Sequence, residues 1–83
     1  MREKIDTTVT IEMFATPVRA EPQRITIVPG TTIDIIDGAA RVFFDTGFEL
    51  GTENDWLHLR VNRRSGWITG RESFRAIGLP EAG

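Results

Sequence analysis

The chain has no cysteine, no tyrosine, one histidine and one lysine among its 83 residues. Without cysteine there is no disulfide framework and no thiolate metal site. A single imidazole, His58, removes nearly every histidine-based zinc arrangement. No run approaches the ~20 apolar residues of a membrane span, and residues 1–15 lack the apolar middle of a signal peptide. The sequence is also without a long helical pattern, an internal repeat or a low-complexity segment. No motif supplies a nucleophile or a carboxylate beside His58, so the chain reads as a non-enzyme with no cofactor and no metal. It is expected to be soluble, in the cell envelope if a signal segment has been removed and in the cytoplasm otherwise. A chain this short supports one domain, with a stability of about 4–12 kcal/mol.

Charge is unevenly spread. Residues 1–55 carry five basic and ten acidic side chains, whereas residues 56–83 carry five arginines against Glu72 and Glu81. The net of −2 therefore combines an acidic first part with a basic second part. Such a split marks a partner surface in some proteins and an internal pairing of halves in others.

What the sequence does contain is alternation. Leu57, Leu59 and Val61 alternate with Trp56, His58 and Arg60, the period of a strand with one buried face. Asn62 to Gly66 supplies turn chemistry, and Trp67-Ile68 opens a second apolar stretch, so 56–68 reads as a hairpin. Upstream, Val9, Ile11 and Met13 alternate with Thr8, Thr10 and Glu12, and Phe14 falls on the opposite parity, where the strand bends or exposes an aromatic. Pro17 and Pro22 turn residues 15–24 into a loop. Ile25 and Ile27, then Ile33 and Ile35, form two further strands around Val28-Pro29-Gly30-Thr31, a type II turn signature. In 37–55, the apolar Val42, Phe43, Phe44, Phe48 and Leu50 flank Asp45-Thr46-Gly47, which suggests an extra hairpin over 41–44 and 48–50. Thr69-Gly70-Arg71-Glu72 has capping-box spacing, with room for one helical turn before Gly78-Leu79-Pro80. Five or six short strands with regular turn signals point to a small barrel or sandwich. Residues 1–6 and 80–83 read as flexible ends of a domain over 7–79.

The order of these features resembles the bacterial SH3-like domain family. The likeness covers about residues 9–77. Residues 25–36 look like two strands around a diverging turn. Asp55-Trp56-Leu57-His58-Leu59-Arg60-Val61 looks like the strand that opens with the family's tryptophan. Gly66-Trp67-Ile68 is similar to the step after the distal hairpin, and Ser73-Phe74 to the aromatic that closes a short 3₁₀ turn. The resemblance implies an all-β, SH3-like, partly open barrel of five main strands, with an extra hairpin in 37–55 and one 3₁₀ turn. It also implies a non-catalytic interaction module. Two departures stand out: 37–55 is longer than the usual loop, and 69–74 is about two residues longer than the family's turn, which leaves the role of Phe74 open. Thr69 also occupies the place of the proline found in proline-rich-peptide binders.

Two surfaces are candidates for function. Trp56 has outward parity, and an outward indole anchors ligands well. With Phe14, Phe74 and Phe48 it is expected to hold a peptide, a cell-wall fragment or a neighbouring protein domain. The alternative is nucleic-acid contact through Arg60, Arg63, Arg64 and Arg71, against which stands the acidic sequence pI of about 5.3. A third reading is a purely architectural domain of a larger protein. Trp67 is expected to lie across the sheet beside arginine or glutamate stems.

Overall fold

A computed structural model describes residues 2–36 and 56–79. The hairpin expected over 41–44 and 48–50, Phe48 with it, and the tail 80–83 lie outside the described residues. The described part is all-β apart from one short helix. Its elements are β1 (Arg2–Lys4), β2 (Val9–Met13), β3 (Gln23–Ile27), β4 (Thr32–Ile35), β5 (Trp56–Val61), β6 (Arg64–Thr69) and α1 (Arg71–Ala76). β1, β4, β5 and β6 form one antiparallel sheet in that order, and β2 pairs with β3 in a second.

Alternation decides which face each strand buries. Ile11 and Met13, Ile25 and Ile27, Ile33 and Ile35, and Leu57, Leu59 and Val61 all enter one core with Ile5, Ile68, Phe74, Ile77 and Leu79. The two sheets meet at one corner. There the amide of Phe14 donates to the Trp67 carbonyl and the amide of Trp67 donates to the Phe14 carbonyl, both at 2.8 Å. The opposite parity of Phe14 is thus the point where the chain leaves β2 and joins the edge of β6.

Local chemistry explains the connections. Gly30 takes φ 89° and Thr31 donates to the Val28 carbonyl, giving the expected turn between β3 and β4. Between β5 and β6 the turn has only two central residues, Asn62 and Arg63, both at positive φ (50° and 67°), as type I′ hairpins require. Strand β6 therefore begins at Arg64, and Gly66 is a strand residue rather than the end of a turn.

Two further expectations give way. Residues 1–6 were expected to be loose, yet Arg2–Lys4 pairs with β4 and Ile5 is buried. Ile5 is apolar enough to enter the core, and its amide and carbonyl bond to Thr31 and Gly30. The short 3₁₀ turn is instead the α-helix α1, whose N-cap is Gly70 because Thr69 stays in β6. Gly78 at φ 91° ends the helix: its amide donates to the Arg75 carbonyl and that of Leu79 to the Phe74 carbonyl, a Schellman motif.

Candidate functional site

The face of β4–β5–β6 turned away from the core carries the side chains of opposite parity, and the register fixes their neighbours. His58 lies opposite Trp67, Arg60 opposite Ser65, and Trp56 opposite Thr69. On the other side of β5, Asp34 lies opposite Arg60, and the Ile36 amide donates to the His58 carbonyl at 2.9 Å, extending β4 by one residue. On the other side of β6, Phe14 pairs with Trp67. One row across the sheet therefore reads Ile36, His58, Trp67, Phe14, with Trp56 beside it.

The rings in this row are in contact. His58 and Trp67 stack face to face, centroids 4.4 Å apart and planes 3° apart. Phe14 meets Trp56 edge-on at 5.4 Å and 85°. Each such pair contributes about 0.5–1.5 kcal/mol beyond its buried area. Trp56, His58 and Trp67 are half-buried and Ile36 is exposed, so the row is braced from within the sheet while still open to solvent.

Placement of the expected site residues is mixed. Trp56 has the outward orientation inferred from its parity, and Phe14 touches it, though Phe14 itself is only 6% exposed and acts as a brace. Phe74 is removed from any recognition surface, because it is fully buried in the core at the end of α1. Phe48 lies outside the described residues. The stack of His58 on Trp67, in which the indole rests on an imidazole, is not among the expectations drawn from the sequence. A two-residue turn at 62–63 would have given that register directly, because it forces 61 opposite 64 and hence 58 opposite 67.

The four arginines do not converge. Arg60 is on the outer face, near Asp34. Arg64 has the opposite parity, across from Val61. Arg63 is in the hairpin turn, while Arg71 opens α1 beyond the far end of β6, a strand roughly 17 Å long. A continuous phosphate-tracking stripe needs its cations on one face, which this arrangement does not provide.

A concavity of about 590 Å³ lies on the outer side of β2–β3 and is lined by Thr10, Ile11, Glu12, Arg24, Thr26, Glu72 and Ser73. Its groups pair across the strands: the Thr10 and Thr26 hydroxyls are 3.3 Å apart, and Arg24 is 3.6 Å from Glu12. Among the described residues no three His, Asp or Glu side chains gather as a metal site, and no helix is long and apolar enough to cross a membrane. Comparison with protein-family models, with curated proteins and with solved structures found no match.

Proposed function

We propose that this domain is a non-catalytic, SH3-like binding module that holds a peptide, a cell-wall fragment or a neighbouring protein domain on the outer face of β4–β5–β6. The SH3-like reading draws support from the chain order of the features and from two short antiparallel sheets that share one core and join at a single corner. The binding reading rests on one observation: a row of aromatic rings, half-open to solvent, on the side of the sheet away from the core. Trp56 and Trp67 stand outside the cluster of buried core residues. Rigid indoles there supply contact area at low entropic cost, which suits recognition.

Titration of the ¹⁵N-labelled domain with soluble peptidoglycan fragments and with a panel of blocked peptides tests this. Saturable shifts are expected at the indole N–H groups of Trp56 and Trp67. Trp56→Ala is expected to weaken the response roughly tenfold, as for a central interface aromatic. If every ligand leaves those indole resonances unmoved, the module reading is wrong and an architectural role takes its place. Nucleic-acid contact draws no support from the scattered arginines, and a low-salt gel shift with no retarded species is the expected result.

A further inference from the structure

The outer face is not uniformly apolar, and one corner of it is charged. Asp34 stands between two arginines. Arg2 takes its Oδ1 through Nε at 2.9 Å, whereas the Nε of Arg60 is 3.9 Å from Oδ2, beyond hydrogen-bond reach. Among the described residues, one carboxylate thus faces two guanidinium groups, an excess of one positive charge. The Arg60 side chain is 56% exposed and is the less engaged of the two.

Arg60 also has a fixed relation to the rings. It follows His58 by two residues on the same face of β5, so the two positions are about 7 Å apart along the strand. An extended peptide repeats its own side chains on one face at that same interval. A flat apolar side chain laid on the His58–Trp67 stack would therefore bring a carboxylate two positions away over Arg60.

Taking the outer face as a binding surface, the geometry points to an extended acidic peptide as its ligand, with an aromatic or aliphatic residue on His58–Trp67 and an Asp or Glu two positions away paired with Arg60. The spacing favours a peptide, since an extended backbone repeats its side chains at the strand's own interval. The excess charge at Asp34–Arg2–Arg60 favours an acid over a base or an amide.

Three blocked pentapeptides test this against the ¹⁵N-labelled domain at low salt. Acetyl-Glu-Gly-Trp-Gly-Glu-amide places an acid two positions from the indole in either chain direction. Its Gln counterpart lacks the charge. Acetyl-Gly-Glu-Trp-Glu-Gly-amide keeps the charge but moves the acids to adjacent positions, which point to the other face. The first is expected to bind roughly two- to fivefold more tightly than the other two, as for one exposed ion pair, with the Arg60 Nε–H resonance shifting. Arg60→Gln, a substitution at an exposed side chain, is expected to abolish that preference while Trp67 still responds. Equal affinity of the three peptides at Trp67 overturns the acid-selective subsite and leaves the binding face standing, as does a preference that survives Arg60→Gln. No shift at Trp67 or His58 with any peptide overturns the inference and takes the peptide form of the binding face with it.

Discussion

A methyl group at position 66 has no room. A Cβ built on Gly66 would sit 2.6 Å from Met13 Cε, 3.1 Å from the Phe14 carbonyl oxygen and 3.2 Å from Met13 Cβ. The first atom is the far end of a flexible side chain and can move. The other two belong to the corner where β2 crosses onto β6, and they cannot move without lengthening the two 2.8 Å bonds between Phe14 and Trp67. Gly66→Ala is therefore expected to cost about 1–3 kcal/mol, read as a lower midpoint in urea with an unchanged slope. A cost near zero would mean that the corner is looser than these contacts indicate. The same scale separates core from surface among the aromatics. Phe74→Ala should cost about 3–5 kcal/mol because the ring is wholly enclosed. Trp56→Ala, at a half-open site, should cost clearly less than Phe74→Ala in the same denaturant series. Sequence parity placed Trp56 correctly on the outer face. It could not place Phe74, because one residue after a turn signal has no period from which a face can be inferred.

Among the elements, the β5–β6 hairpin carries the clearest local compromise. Asn62 tolerates positive φ, but Arg63 at φ 67° has a Cβ in a region that L-residues avoid at a cost of roughly 1–2 kcal/mol. Asn-Gly is the preferred pair for this turn. Part of the strain relief is offset by the greater freedom of glycine in the unfolded chain. Arg63→Gly is thus expected to stabilise the domain by about 0.5–1 kcal/mol, measured as a higher urea midpoint. A destabilised variant would show that the Arg63 side chain makes a contact worth more than the strain. The turn also explains what could be read from the sequence here. Alternation over 57–61 identified the strand and its buried face. The polar run from Asn62 to Ser65 hid the true length of the turn, since Arg64 and Ser65 look like loop residues yet pair with Val61 and Arg60. The His58–Trp67 stack follows from that register and was lost with it. Gly78 is legible as the stop of α1, and the helix does end before it; the positive φ by which it carries the chain on to Leu79 is not something composition reveals.

For the whole molecule, alternation tells which face a strand buries but not which strand lies beside it. The pairing of β1 with β4 and of Phe14 with Trp67 joins residues far apart in sequence, and no local pattern announces either. Hence the N-terminal segment read as loose: three charged residues in a row resemble a solvated tail. They are tolerated in β1 because it is an edge strand, where charge also discourages pairing with other chains. What anchors the edge is Ile5, only 4% exposed, whose amide bonds to the Thr31 carbonyl at 3.0 Å and whose carbonyl accepts from Gly30 at 2.8 Å. The ion pair between Arg2 and Asp34 has its arginine largely in solvent and contributes at most about 1 kcal/mol. These two terms can be told apart. Ile5→Ala should cost about 2–5 kcal/mol, a large share of the roughly 4–12 kcal/mol available to a chain of this length. Arg2→Gln should cost less than about 1 kcal/mol. Urea unfolding of both variants decides the matter: a small loss in each would return β1 to the status of a tail, while a large loss confined to Ile5→Ala makes the first strand part of the folded unit, held by the apolar residue that follows it rather than by its charges.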